Sequence, residues 1–313
     1  MLLINHANIL DPVSNRIKIK LAITAFFRLG GFANKVNMMK LLLPCLSLFT
    51  LLGTSASAHA QTEGERRGNP NDGTGYIGIM TLTNSEYLGS ADEDTRILPY
   101  LSLNNVKGFD LFGPNLNYRL IETGTGEGLR TWSLRAGPSV TFQGNRDSED
   151  SVNLNGFEDV GVSLPVGGYI RSTIGPVGLG LNVGKDVIGG HGGLVADASI
   201  GTFYRKGNFA IQPSLSVNWG DNKHNDSFFT VTPAQALTSG LSSFEADSSI
   251  YSYGAGIVSW IEFDNRYAIS LIANHRWFTG DANNSPIINA SDGSDTGYFL
   301  SLGLSRKFDT KQW

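Results

Sequence analysis

Few side chains in this sequence are equipped for chemistry: 313 residues contain five His and a single Cys. His191 lies in the run Gly189-Gly190-His191-Gly192-Gly193, with Asp186 and Asp197 nearby in sequence. An imidazole oriented by a carboxylate is the arrangement of a general base. No serine sits in a G-x-S-x-G turn to act as its nucleophile. The glycines more simply describe a tight loop whose backbone needs positive φ, so the structural reading is preferred and a pH-responsive role stays open. His224, in Asp221-Asn222-Lys223-His224-Asn225-Asp226, reads as a solvated loop residue. His275 is in phase with Leu271 and Trp277 at a strand end and reads as interfacial. No H-x-x-x-H pair follows residue 60, and no Cys, so zinc is not expected. Acids gather at Asp92-Glu93-Asp94, at Asp147 with Glu149 and Asp150, and at Glu158-Asp159. They lack the oxygen spacing of a calcium loop and read as solvated, or as tied to lipopolysaccharide through divalent ions. No catalytic, cofactor-binding or metal-binding residue is expected. The chain reads as a non-enzyme.

What holds these loops in place follows from the rest of the sequence. Charged residues make up 17% of the chain, below the roughly 25% of soluble domains. The net charge of -4 and the lack of a basic patch disfavour nucleic acid. No run of about 18 apolar residues marks a spanning helix. Met39-Lys40, the apolar stretch Leu41 to Leu52, and Ala58-His59-Ala60 have the layout of a secretory signal peptide. Residues 1–60 are therefore expected to be an address, with an over-extended start and a true start at Met38 or Met39. Its removal takes six Lys and Arg and one Asp, deepens the net charge to -9 and leaves no cysteine. Residues 61–75 read as a flexible polar leader in the periplasm.

Beyond it, alternation of period two dominates. Phe209-Ala210-Ile211-Gln212-Pro213-Ser214-Leu215-Ser216-Val217-Asn218-Trp219 places apolar residues on one face of a strand and small polar ones on the other. The pattern recurs through Trp132 to Phe142, Val160 to Val166, Val177 to Val183 and Tyr298 to Leu304. Aromatic residues cap the apolar stripes at Phe209 and Trp219, Trp132 and Phe142, and Tyr298 and Phe308, about one tilted membrane crossing apart. The opposite face carries Gly, Ser, Asn and Gln, as a lumen wall does. These features predict an all-β fold, a transmembrane antiparallel β-barrel of the outer membrane over residues 76–308, with a tail at 309–313. Long loops at 84–95, 144–159, 185–193, 220–249 and 279–296 alternate with short turns. Glu122–Leu129 is read as periplasmic, which requires a hairpin near Gly113-Pro114-Asn115. The count is twelve strands, or ten if that hairpin folds inward. Within the loop 228–241, Thr232 can cap a short helix with Pro233 at its first position and Gly240 at its end. With Phe228, Phe229 and Leu237 close by, this helix could plug the lumen, cover the mouth, dock a partner or pack on the rim.

Several segments resemble the MipA/OmpV family of outer-membrane proteins. They are Glu86-Tyr87-Leu88-Gly89-Ser90, Arg96-Ile97-Leu98-Pro99-Tyr100, and the glycine-histidine run through Asp197. Val231-Thr232-Pro233-Ala234-Gln235-Ala236, Ser239-Gly240-Leu241, Asn284-Ser285-Pro286-Ile287 and Leu302 to Phe308 complete the set. The family usually has an aromatic where Arg306 stands and ends at the phenylalanine, whereas here Asp309 to Trp313 follow. The resemblance implies a non-enzymatic scaffold that joins a lytic murein transglycosylase to a penicillin-binding protein. A surface adhesin or a small pore is the alternative it leaves. The implied surroundings are the lipid bilayer and lipopolysaccharide.

Overall fold

The computed structural model describes residues 73–125 and 131–310. The expected signal segment, nearly all of the leader and the end of the tail lie outside them. Fourteen strand segments follow one another: β1 (Thr74–Ser85), β2 (Glu93–Val106), β3 (Phe109–Phe112), β4 (Asn115–Tyr118), β5 (Ile121–Thr125), β6 (Trp132–Thr141) and β7 (Pro165–Ile174). Then come β8 (Val177–Asp186), β9 (Leu194–Thr202), β10 (Tyr204–Lys206), β11 (Phe209–Gly220), β12 (Ser249–Phe263), β13 (Tyr267–Phe278) and β14 (Thr296–Asp309). β4 and β5 pair in succession with β6, and β9 and β10 with β11, so the wall has twelve positions. β1 pairs antiparallel with both β2 and β14, which closes the barrel. The hairpin at Gly113-Pro114 is part of that wall, and both ends of the barrel lie on the short-turn side. The barrel limits expected at 76 and 308 move outward to Thr74 and Asp309.

Alternation decides which way each face points. Ile77 and Ile79, Ile170 and Ile174, Leu215, Ile269 and Leu271, and Leu300, Leu302 and Leu304 are exposed, while Met80, Leu82, Ser216, Ser301 and Ser305 at the other parity are buried. A soluble sheet would bury the first set. Here its exposure forms an apolar belt on the outside of a closed wall, which suits lipid contact. Trp132, Trp277 and Tyr298 are also exposed, at strand ends where aromatic rings meet the interface.

Two expectations are corrected near the long-loop end. β7 begins only at Pro165. Val160 and Ser163 instead make isolated bridges to Arg146 and Gln143, doubling the loop back on itself. Phe142 is not interfacial. It is buried with Val140, Leu164 and Ile188 in a cluster that includes Leu103, Leu111 and Leu116, because the short β3–β4 hairpin brings these positions into register.

The hairpin also holds a buried charge pair. Arg119 donates from Nε and Nη2 to the two carboxylate oxygens of Asp110, each at 2.7 Å, and from Nη2 to Asn104 at 2.9 Å. The Asn105 N–H donates to the same carboxylate at 2.8 Å. Asn105 and Lys107 adopt positive φ in the turn that this bond closes. Asp110 is fully buried, so its removal strands a guanidinium whose second partner, Glu122, lies 3.4 Å away. Losing one partner of a buried pair costs about 3–5 kcal/mol. Asp110→Ala is expected to destabilise the barrel by roughly 3 kcal/mol, read from urea unfolding in lipid vesicles by tryptophan fluorescence.

Candidate functional site: the outer cap and the lumen

The long connections lie on one side, which the shortness of periplasmic turns identifies as external. They fold onto one another as a cap. Its elements are α1 (Asn222–Phe229), α2 (Pro233–Ser239), α3 (Gly280–Asn284) and two 3-10 turns, Ser148–Asp150 and Val152–Leu154. α2 forms as its sequence predicts. The Thr232 hydroxyl accepts the Gln235 N–H, the Gln235 side chain accepts the Thr232 N–H, Pro233 opens the first turn, and Gly240 closes it with a left-handed φ of 78°. Leu237 is 89% exposed, however, and the residues of this region that pack inward are Val231, Ala236 and Leu241. They meet Tyr87, Leu154, Phe157 and Ile287. A second cluster joins Phe228 and Phe229 of α1 to Tyr251, Phe278, Ala282 and Ile288. Arg146 ties the loop after β6 to α1 by donating to the Phe228 carbonyl at 3.2 Å, with its guanidinium over the Phe157 ring. Burial lowers its pKa to about 10.

The two histidines expected in separate loops meet at the centre of this cap. His224 lies on α1 and is 2% exposed, so the solvated-loop expectation is corrected. Asp221 caps that helix by accepting the His224 N–H, an Asx cap hidden in a polar run. The rings of His191 and His224 meet edge to face at 4.8 Å, and Tyr251 stacks on His224 at 4.8 Å. Hydrogen bonds select each tautomer. Gly193 N–H donates to His191 Nδ1 at 3.0 Å, so the proton sits on Nε2 and is given to Gln143 Oε1 at 2.8 Å. Asn225 donates its NH2 to the Asp247 and Gly220 carbonyls, which leaves its Oδ1 to accept from His224 Nδ1 at 2.9 Å. Accepting at Nδ1 makes the His191 ring neutral, and burial favours the neutral form of His224. His191 is oriented by Gln143 and Gly193, while Asp186 accepts the backbone N–H groups of Leu164, Ile188 and Gly192.

The glycines around His191 divide into two roles. Gly189 and Gly192 have positive φ with open space where a Cβ would stand, so conformation alone selects them. Gly190 and Gly193 give close approach: a Cβ would strike Gly161 and Ser163 in one case, and Asp221 with the His224 backbone in the other. Gly193→Ala is expected to part the two histidine loops, detected as faster trypsin cleavage at Lys223 in folded, membrane-inserted protein.

His275 is half-buried on β13, edge to face with Trp277 at 4.5 Å, consistent with an interfacial place. The acidic clusters settle as local caps and pairs. Asp94 pairs with Arg96, Asp150 accepts the Asp147 N–H, and Asp159 accepts the Ser148 N–H. Among the described residues no group of three or more His, Cys, Asp or Glu is placed to hold a metal ion.

Below the cap the lumen is polar and cross-linked. Ser139 donates to Asn182, Asn182 to Thr141, and Thr141 to Asn115, at 2.7–3.1 Å. Arg135 bonds Glu122 at 3.0 Å, and Tyr76 donates to Glu262, whose other oxygen pairs with Arg205 at 3.2 Å. Toward the periplasmic end a cavity of about 90 Å³ is lined by Tyr76, Tyr100, Phe112 and Trp260. Sequence reading overlooked these lumenal charges. Their signal was a charged residue at the inward parity of an otherwise apolar and small-residue strand, as at Asp110, Arg135 and Arg171.

The model of the family described as MltA-interacting protein MipA matches residues 77–308. The chain belongs to the MipA family. Most of the segments that carried the resemblance converge in space, those on β2 and β14 excepted. Tyr87, Val231, Ala236, Leu241 and Ile287 share one apolar cluster, Gly89 lies against Ile288, Ser285 donates to the Phe229 carbonyl at 2.6 Å, and His191 meets α1. The MipA features in this chain are thus largely those that build the cap. No curated protein matches the chain. Among solved structures, the COG4313 outer membrane channel of Pseudomonas putida F1 is 12% identical, with 80% of this chain and all of that one covered and a TM-score of 0.37. OmpT of Vibrio cholerae is 9% identical, covering 77% and 99%, at a TM-score of 0.33. The outer membrane protease OmpT of Escherichia coli is 12% identical, covering 79% and 100%, at 0.25. With its closed wall and apolar belt, this MipA-family chain is an outer-membrane barrel.

Burial drives the pKa of His224 down to about 3, with the neighbouring His191 adding to it against Asn225 and Asp221. Burial likewise lowers that of His191, against Asp186 and Asp221. A depressed folded-state pKa means that the neutral form is the one the fold holds. The stabilisation is complete above the unfolded-state value of about 6.5 and is lost as pH falls from there through the folded-state values. The cap is expected to loosen on acidification below about pH 6 while the barrel persists. Hydrogen exchange of the 187–193 and 221–248 loops against pH, with β-strand amides as the internal reference, checks this.

Proposed function

We propose that this protein is a non-enzymatic scaffold of the outer membrane that presents its periplasmic rim to cell-wall enzymes, a lytic murein transglycosylase and a penicillin-binding protein. Membership of the MipA family, described by its interaction with MltA, is the observation that carries this reading. Two features support it. The external mouth is covered by a cap with its own apolar clusters, which argues against an open pore. Among the described residues, and apart from the Arg205–Glu262 pair, the periplasmic rim carries Lys107, Lys206, Arg266, Arg306 and Lys307 against Asp264 and Asp309, an excess of positive charge at the side where such enzymes work. Rim charges act chiefly through encounter rate and partner choice. In-cell crosslinking followed by mass identification of partners is expected to recover a murein hydrolase or synthase. The double substitution Lys206→Glu with Arg266→Glu is expected to lower that recovery about fivefold at unchanged barrel content. Recovery of neither enzyme class would overturn the scaffold.

An adhesin is the second reading, favoured by Val152 and Leu237, which are exposed on adjoining elements of the outward cap. Replacing both by Ser tests it through attachment of intact cells, with crosslinking to cell-wall enzymes as the separate readout.

A further inference from the structure

A second lumenal cavity, of about 120 Å³, lies against β7, β8, β9 and β11, where Gly178, Gly180 and Gly201 leave the wall bare. Among the described residues Arg171 is the only charged one lining it. Its guanidinium rests over the Tyr169 ring at 5.2 Å, and its Nη1 is buried with no hydrogen-bond partner. The neighbouring cations are differently placed. Arg119 has Asp110, and Arg135 has Glu122. Arg171 stands directly across from Arg135 in the β6–β7 register and is repelled by both Arg135 and Arg119, with Asp110 as the attracting carboxylate. Among the described residues three arginines, Arg119, Arg135 and Arg171, thus face the two carboxylates of Asp110 and Glu122. A guanidinium with a buried, unpartnered nitrogen, whose attracting carboxylate Asp110 is already paired with Arg119, calls for an anion.

The rest of the cavity is suited to one. Thr173, two residues along on the same face as Arg171, has a buried hydroxyl with no partner. Gln212 is nine-tenths buried with its Oε1 unpartnered, and an amide can turn over to present its NH2 group instead. Ser199 and Ser214 add hydroxyls, while Phe203 supplies an apolar wall. Phe203 stacks on Trp260, which lines the other cavity, so the ring pair stands between the two. Gly175, Pro176 and Thr202 at the periplasmic turns complete the lining and place its access on that side.

We propose that this cavity is a periplasm-facing site for a small oxyanion, the carboxylate or phosphate group of a small molecule, held by Arg171 and the hydroxyl of Thr173. Arginine matches such groups by its planar fork of donors. The site is independent of the scaffold reading, since it uses the lumen rather than the rim.

Calorimetric titration of the refolded protein with sodium acetate and with inorganic phosphate, at ionic strength fixed by chloride, tests it. Saturable binding at one site per barrel is expected with at least one of the two. Acetate alone would mark a carboxylate site, and phosphate alone a phosphate site. Arg171→Gln is expected to weaken binding about tenfold or more, with Arg171→Lys recovering part of it. Lys223→Gln on the cap is expected to leave it within about twofold. Heat-modifiable migration on gels establishes that each variant is folded. No saturable binding of either anion, or equal binding by folded Arg171→Gln, would overturn the site.

Discussion

The constraint on which this molecule depends is that a backbone in lipid must find every hydrogen-bond partner within the protein. Each unpaired N–H or C=O in the hydrocarbon costs several kcal/mol. An open sheet with two free edges fails this demand, and the pairing of β1 with β14 over Thr74 to Asn84 meets it. The outward row of Ile, Leu and aromatic residues and the inward row of small polar ones both follow from closure. So does the unusual treatment of the β3–β4 hairpin. Its four-residue strands are too short to span by themselves. They serve as a seam between β2 and β6, made tight by leucines in register and by the Asp110–Arg119 pair.

Closure produces an inside, and the inside is where the charges went. Charged side chains taken from water favour pairing, and apart from Arg171 those described above pair along lines that cross from strand to strand. Arg135 to Glu122, Tyr76 to Glu262, and Ser139 through Asn182 to Asn115 each hold neighbouring or distant strands together. The external end is closed differently, by an apolar cap with a pair of neutral imidazoles at its centre. The two halves of the lumen therefore differ in character: apolar clusters around two buried imidazoles above, polar cross-links below.

The strand faces were legible in the sequence because a period of two is a local property that needs no knowledge of partners. The short helix at Pro233 was legible for the same reason, since Thr232, Pro233, Gln235 and Gly240 act within one turn of each other. His224 was misplaced because its surroundings are polar in sequence and apolar only in space. Tyr251 and Phe228, which bury it, lie on β12 and on its own helix, and that helix has little apolar character to announce it. Phe142 was misplaced by extending an alternation beyond the residue at which its strand stops.

By itself the sequence determined the class of fold, the side of each strand that meets lipid and the family, because all of these reside in alternation, spacing and short motifs. Tertiary structure alone decided that most of the motif segments meet in one cap, that His191 and His224 touch, that the short hairpin joins the wall to make twelve strands, and that Arg171 keeps an unpartnered nitrogen. These are long-range facts. Residues 33 positions apart, as the two histidines are, become neighbours only when the barrel closes and brings the tops of β8, β9, β11 and β12 around a common mouth.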